Sequence, residues 1–153
     1  MTLLPVSHRP QRQQSDCLST CAAMVLHYFR VPYRYNQLLH LLRVEAHGTV
    51  FSHLRYLESL GVSVHVGKGD MEVLHGQLNR GLPPIVAVDT GELRSYWRDA
   101  VSHAVVVVGM DEVFVYVNDP AFATAPQQIP MAEFELARQE QDDRYAVIGL
   151  RRV

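Results

Sequence analysis

The stretch QRQQSDCLSTCAAMVLHYF occupies residues 11–29 and joins a polar loop to an apolar helical segment. Ser15 and Asp16 are residue types that commonly cap helix N-termini, which predicts a helix from Cys17 to Phe29. Pro32 follows and ends that helix. The apolar surface of the helix is supplied by Ala22, Met24, Val25, Leu26 and Phe29. The first predicted helix therefore has an apolar surface to bury and begins with a cysteine.

The position of Cys17 in this helix has a chemical consequence. Unpaired backbone N–H groups and the helix dipole stabilise an anion in the first turn, and the thiolate is the nucleophilic form of cysteine. Cys21 lies one turn further on beside Ala22, which is typical of a small buried residue. A disulfide between the two cysteines would join neighbouring turns of one helix, where side chains run nearly parallel, so a redox pair is disfavoured.

Outward from this helix, the apolar pattern changes from helical to strand-like along the chain. Further helices are predicted at 35–42 and at 49–60, the second capped by Thr49 and stopped by Gly61. Alternating or β-branched runs then predict strands, interrupted by a helix that Asp70 caps and a last helix that begins after Pro130. Helices followed by a mostly antiparallel sheet form an α+β fold. The predicted strands cover 62–66, 84–89, 103–110, 113–118 and 145–150.

Composition restricts the class of protein. The chain has 153 residues, and 14 Lys and Arg against 16 Asp and Glu leave a formal net charge of −2, without the basic surface that nucleic acid requires. No apolar run approaches the roughly 20 residues that span a bilayer, and the N-terminus has no secretory signal. Two cysteines are too few for a disulfide framework or a zinc site. We expect one domain over residues 1–153, in the cytoplasm.

A hairpin is predicted to bring a histidine and an aspartate together. The runs on either side of Asp111-Glu112 read as paired strands, and His103 opens the first run, which is apolar on both faces and therefore central. A turn at Asp111-Glu112 sets position 103 opposite 119 or 120, so Asp119 can accept from the imidazole. Asn118 is the fallback because the register has an error of about one residue. A histidine oriented by a carboxylate near a cysteine is the constellation of thiol catalysis.

Attack on an acyl carbon also needs donors for the oxyanion. The backbone N–H of Cys17 is one candidate, and Gln11, Gln13 and Gln14 precede the helix on a loop from which any of the three could supply a side-chain amide. Tyr96-Trp97, shortly before His103, is a candidate wall of a substrate cleft, although a lone Trp is more often ordinary packing. No histidine pair has metal-ligand spacing, so no metal or cofactor is expected.

With these residues in place, the chain resembles the bacteriocin-processing cysteine peptidases, papain-like domains that cut double-glycine leader peptides and often precede export ABC transporters. The resemblance covers Gln11 to about Phe134, and its motifs occur in the order of the family. They are the opening stretch at 11–29, HGTVFSHLRYLESLGV, LPPIVAV, SHAVVVVG and VYVNDPA.

The resemblance implies a papain-like fold and a role for each matched residue. Cys17 becomes the nucleophile, His103 the base, Asp119 the orienting group and Gln11 the oxyanion donor. Leu18 departs from the family, which usually has glycine directly after the cysteine, and a side chain there puts Gly-Gly specificity in question. The implied substrate is a peptide or protein, such as a leader peptide, and the implied partner is a separate export transporter.

The sequence leaves three functions open. The first is a cysteine peptidase that uses a Cys-His-Asp mechanism. The second is an acyltransferase or amidase that forms the same thioester, because only the second acceptor differs. The third is a peptide-binding module without catalysis, which Leu18 favours and the retention of Cys17, His103 and Asp119 disfavours.

Overall fold

The structure is a computed structural model and describes residues 3–151. Helices dominate the first part of the chain and strands the second, as the apolar pattern predicts. No helix within this range is long and apolar enough to span a membrane. The helices are α1 (Cys17–Tyr28), α2 (Tyr35–Leu41), α3 (Met71–Asn79) and α4 (Met131–Gln139), with a 3₁₀ helix at Phe51–Leu60. The strands are β1 (Val62–Lys68), β2 (Ile85–Asp89), β3 (Ser102–Met110), β4 (Phe114–Asn118), β5 (Gln127–Pro130) and β6 (Arg144–Leu150).

The strands form one antiparallel sheet in the order β1-β6-β2-β3-β4-β5. One face packs on α1, α2 and the 3₁₀ helix, and the other packs on α3 and α4. Val106 of β3 lies in the first core and Val105 in the second, and both are fully buried. The prediction that this strand is central and covered on both faces is therefore confirmed.

The segment before β1 corrects a prediction. We expected an α-helix over 49–60 with Thr49 as its cap, whereas the chain forms a 3₁₀ helix whose N-cap position is Val50. The Thr49 hydroxyl donates instead to the carbonyl of Leu42 at 3.1 Å. Apolar side chains recur every third residue, and a helix with three residues per turn aligns them on one face. These side chains are Phe51, Leu54, Leu57 and Leu60, of which the first three are buried.

Strand β5 is missing from the predicted elements. It covers Gln127–Pro130 and pairs with β4, as in the partnership of Val115 with Ile129. Ile129 is its only buried residue, so the strand carries no alternating apolar pattern for the sequence to display. The segment becomes a strand because it pairs with β4, and this pairing forms only when the sheet assembles.

The N-terminal segment is tied to the end of the β3–β4 hairpin. Asn118 donates from Nδ2 to the carbonyl of Val6 at 2.9 Å, and the Gln11 N–H donates to the carbonyl of Pro120 at 2.7 Å. The buried Asn118 amide binds Val6, and the side chain that hydrogen-bonds His103 is Asp119, so the fallback prediction that Asn118 orients the histidine is wrong. Its role is to anchor the segment that leads to Gln11.

We predict that Asn118→Ala lowers the free energy of unfolding by roughly 1–3 kcal/mol, because it removes the donor to a buried carbonyl. Urea unfolding followed by circular dichroism measures the change. Gln128→Ala, on an exposed position of the neighbouring strand, is the matched control and stays within about 0.5 kcal/mol of the wild type. Equal stability of the two variants would contradict the anchoring role.

Candidate active site

Cys17 lies at the junction of a 3₁₀ turn (Gln14–Asp16) and α1. Asp16 occupies the N-cap position but makes no side-chain cap bond, so the predicted capping by Ser15 or Asp16 is wrong. The Asp16 carboxylate is buried and accepts from the Tyr35 hydroxyl at 3.0 Å. Burial raises the pKa of Tyr35 to about 12, so this hydroxyl stays a donor at neutral pH. The turn before Cys17 is thus held by α2 and not by a cap.

His103 and Asp119 form a buried contact. Nε2 of His103 donates to Oδ1 of Asp119 at 2.7 Å, and the two side chains are 4% and 0% exposed. Burial by itself lowers the pKa of His103, but the hydrogen bond to Asp119 and the nearby Cys17 side chain outweigh it and raise the pKa to about 9. The imidazolium therefore persists through neutral pH and is lost as pH rises through about 9.

The register that led to this pair differs from the prediction. Val106 pairs with Asn118 and Val107 with Val117, which sets position 121 and not 119 or 120 across from 103. Strand β4 ends at Asn118, and Asp119 reaches back to the histidine from the turn beyond it. In that turn the Ala121 N–H donates to Asp119 Oδ1 at 3.0 Å. The carboxylate is therefore directed at the histidine by the geometry of an Asx-type turn, and not by direct pairing across the two strands.

Two aromatic side chains complete the surroundings of Asp119. The Tyr96 hydroxyl donates to Oδ2 at 2.8 Å and the Trp97 indole Nε1–H donates to the same oxygen at 2.9 Å. Trp97 also lies edge-on to the His103 ring, with centroids 4.9 Å apart. The sequence shows these residues only as candidates for a cleft wall or for packing. No spacing rule links them to Asp119, so the sequence holds no signal for the hydrogen bonds.

The donors around Asp119 set its charge state. Burial alone would raise the pKa of this carboxyl, but hydrogen bonds from His103, Trp97 and the Ala121 N–H lower it. Burial and the neighbouring carboxylate raise the pKa of Tyr96, which keeps its hydroxyl protonated. Asp119 is therefore a fully buried carboxylate that accepts four hydrogen bonds.

Cys17 and His103 meet in one cleft. Both side chains line a cavity of about 340 Å³, so the thiol and the imidazole face the same space. Since Nε2 is taken by Asp119, Nδ1 is the ring nitrogen that remains for the sulfur. Cys21 is fully buried, and burial raises the pKa of its thiol well above the usual value. Both cysteines are free, so the structure places a free thiol in the same cavity as an imidazole that is hydrogen-bonded to a carboxylate.

The three glutamines separate by position. Gln11 and Gln14 line a second cavity of about 490 Å³ that also contains His103 and Trp97, whereas Gln13 does not. Nε2 of Gln11 donates to the Gln13 carbonyl at 3.0 Å and to the Gln14 carbonyl at 3.4 Å. Its buried Oε1 has no partner among the described residues. The amide thus lies beside the cleft, with one short bond and one long bond to its own loop.

Leu18 does not block the cleft. The side chain is 3% exposed and packs in the core under α1, while it contributes to the wall of the cavity that contains Cys17. Within residues 3–151 there is no group of three or more His, Cys, Asp and Glu side chains that could hold a metal ion. The arrangement suits nucleophilic chemistry by the thiol.

Comparison with solved structures identifies the fold. A C39-like protein from Bacillus anthracis has 17% identity and a TM-score of 0.80 over 98% of this chain and 97% of its own. A double-glycine-motif protease from an AMS/PCAT transporter, solved with a leader peptide, has 20% identity and a TM-score of 0.77 over 97% and 94%. The peptidase domain of Streptococcus ComA, a bifunctional ABC transporter, has 19% sequence identity and a TM-score of 0.77, and the match covers 95% of this chain and 99% of that domain. The expected papain-like α+β fold is confirmed.

A comparison with curated proteins yields no match. The sequence profile described as Peptidase C39 family matches residues 6–137, which is most of the chain. That range contains the Cys17 helix and the hairpin that carries His103 and Asp119. The chain belongs to the peptidase C39 family.

Proposed function

We propose that this protein is a cysteine peptidase in which Cys17 is the nucleophile, His103 the general base and acid, Asp119 the orienting group and Gln11 the oxyanion donor. The observation that carries the proposal is that the imidazole bound to Asp119 lines the same open cavity as the Cys17 thiol. Family membership supports the peptidase activity.

The geometry supports a two-stage mechanism. The Cys17 thiolate, paired with the His103 imidazolium, attacks the carbonyl carbon of a peptide and forms a tetrahedral oxyanion. The C–N bond then breaks, His103 transfers its proton to the leaving amine, and a thioester remains on the sulfur. Water loses a proton to His103, attacks the thioester and releases the acid and the thiol. Asp119 stays ionised and holds the ring throughout.

The Cys17 N–H and the Gln11 amide hold the oxyanion in this proposal. Gln11 Nε2 lies 3.0 Å from the Gln13 carbonyl oxygen and 3.4 Å from the Gln14 carbonyl oxygen. The longer of these two hydrogen bonds is the one that an oxyanion replaces with a stronger, charge-assisted bond.

The substrate that we propose is a leader peptide, cleaved in the cytoplasm in cooperation with a separate export transporter. One structural neighbour is a double-glycine-motif protease solved with a leader peptide, and another is the peptidase domain of an ABC transporter. Leu18 packs into the core, so its presence after the nucleophile leaves room for a peptide beside the sulfur.

We predict that iodoacetamide labels Cys17 rapidly at neutral pH, because the thiolate is the form that reacts. His103→Ala slows this labelling, because it removes the imidazolium that pairs with the thiolate. In the wild type, peptide cleavage falls as pH rises through about 9, where His103 loses its proton. Labelling is measured by intact-mass spectrometry, with Cys21→Ala as the control for the buried thiol.

The same enzyme assayed on a peptide library tests the reaction itself. Hydrolysis products that disappear in Cys17→Ala support the peptidase. Products joined to an amine would identify acyl transfer instead. Equally slow labelling of Cys17 in the wild type and in His103→Ala, together with no cleavage, would overturn the proposal and leave the binding module.

We predict that Gln11→Ala lowers kcat by about 10²–10³-fold with little change in KM, because the lost donor acts on charge that develops in the transition state. Gln14→Ala is the matched variant, since Gln14 lies in the same cavity and its side chain has no assigned role. Its expected loss is less than about threefold. A larger loss in Gln14→Ala than in Gln11→Ala would transfer the oxyanion role to Gln14.

Tyr96 and Trp97 are positioning residues in this proposal, because their donors fix the Asp119 oxygen that does not face His103. We predict that Tyr96→Phe lowers kcat about tenfold, the effect of one lost bond to a charged group. It also moves the alkaline limb of the pH profile upward, because a carboxylate with fewer donors is more basic and raises the pKa of His103. The pH dependence of kcat measures both effects.

Phe122→Leu provides the control for packing. The Phe122 ring contacts both aromatic rings, with centroids 5.0 Å from Tyr96 and 5.2 Å from Trp97, but its side chain donates no hydrogen bond. We expect the alkaline limb of the pH profile of Phe122→Leu to match that of the wild type. If Tyr96→Phe and Phe122→Leu lower kcat alike and neither moves the limb, Tyr96 only fills space.

A further inference from the structure

Apart from the titratable Cys17, His47 and His103 side chains, the cavity beside Cys17 is lined by one charged side chain, which is cationic. Of the residues that line it, Arg144 is the one Arg or Lys, and no Asp or Glu is among them. The other walls mix polar and apolar side chains from both layers of the fold, and the apolar ones include Leu18 and Phe51 on the helical side and Ala87 and Ala104 on the sheet. In such surroundings a cation interacts strongly with an anionic group that enters the cavity.

Neutral partners hold the Arg144 guanidinium in place. Nε donates to the Gln141 carbonyl at 3.1 Å and Nη2 donates to Gln141 Oε1 at 2.9 Å. Gln141 in turn donates from Nε2 to the Ser102 hydroxyl at 3.1 Å, directly beside His103 in the chain. The guanidinium carbon lies 5.7 Å from the centre of the Phe51 ring. The charge is therefore oriented before any ligand binds.

No carboxylate neutralises this charge among the residues that the structure describes. The ion pairs of that part of the chain join His47 to Glu45, Arg94 to Glu92, Arg151 to Glu58 and His103 to Asp119. An oriented guanidinium without an ion-pair partner is suited to a carboxylate, which it binds through parallel N–H donors.

The cavity on the other side of His103 has the opposite polarity. It shares Gln14, His47, Ser102 and His103 with the first cavity, so the two form one continuous cleft. Asp99 is its one carboxylate, and no Arg or Lys lines it. A peptide that crosses the cleft meets a cation at one end and an anion at the other.

We propose that Arg144 is a specificity-determining residue that selects substrates with a carboxylate close to the scissile bond, on the side that occupies the Arg144 end of the cleft. This proposal rests on the proposed function in one respect, because it takes the ligand to be a peptide. The carboxylate belongs to an Asp or Glu side chain or to a free C-terminus. Both have the same chemistry, and the peptide experiment below separates them.

The first test needs no peptidase activity. Iodoacetate carries a carboxylate and iodoacetamide does not, so the ratio of their rates with Cys17 near neutral pH reports anion recognition beside the sulfur. We expect Arg144→Gln to lower that ratio several-fold. Arg144→Lys retains most of it, and Arg80→Gln, an exposed arginine on a different face, leaves it unchanged. The positive charge of His103 is present in every variant, so it does not account for a difference in the ratio between them.

The second test compares peptides that carry Glu, Gln or Lys at each position near the cleavage site, with free and amidated C-termini. We expect kcat/KM to favour Glu about tenfold at positions on one side of the bond only. Arg144→Gln removes the preference, and Arg144→Glu reverses it toward Lys. Preference for the free over the amidated terminus would identify a C-terminal carboxylate as the ligand.

The outcomes separate this proposal from the function on which it rests. An unchanged alkylation ratio in Arg144→Gln overturns the role of Arg144, even if Cys17-dependent cleavage is found. A lowered ratio without peptide cleavage supports anion recognition and overturns hydrolysis. A lowered ratio together with a charge preference that survives Arg144→Gln contradicts the specificity role.

Discussion

The hydrogen bond between His103 and Asp119 is the contact on which the cleft depends. Removing a carboxylate completely from water is costly unless donors replace the solvent, and Asp119 has no exposed surface. Its four donors come from His103, Tyr96, Trp97 and the Ala121 backbone. They lie on strand β3, on the loop before it and on the turn after β4. Satisfying one charge therefore fixes three segments of the chain against each other.

Cys17, the nucleophile of the proposed function, approaches this cluster from the other layer of the fold. Cys17 begins α1, whose buried face packs on the sheet around Val106, and His103 lies near the start of the same central strand. Strand β3 is buried on both faces, so the histidine has a rigid support, and Asp16 ties the turn before Cys17 to Tyr35. Groups held on packed elements in this way are already oriented for reaction before the substrate arrives.

Particular elements show where reasoning from the sequence succeeds and where it stops. The limits of α1 and α4 follow from proline and apolar periodicity, which are local properties, and the structure agrees within a residue. The 3₁₀ helix at Phe51–Leu60 was predicted as an α-helix, although its three-residue apolar repeat is visible in the sequence. The Asp16 side chain was expected to cap its own helix, but a partner 19 residues away binds it. Where a side chain has two possible hydrogen-bond partners, tertiary packing decides which one it binds, and that packing cannot be read from the sequence.

The sequence by itself determined the order of helices and strands, the place of Cys17 at a helix start and the candidacy of His103 and Asp119. These depend on residue types and on spacing along the chain. Only the tertiary structure decided that the Asp119 carboxylate reaches the histidine from a turn and that Tyr96 and Trp97 donate to this carboxylate. It also decided that Arg144 is the arginine that lines the cleft. Each of these contacts joins residues from separate elements across the sheet and its loops. Their energies come from burial and hydrogen-bond geometry, which exist only after the layers have packed.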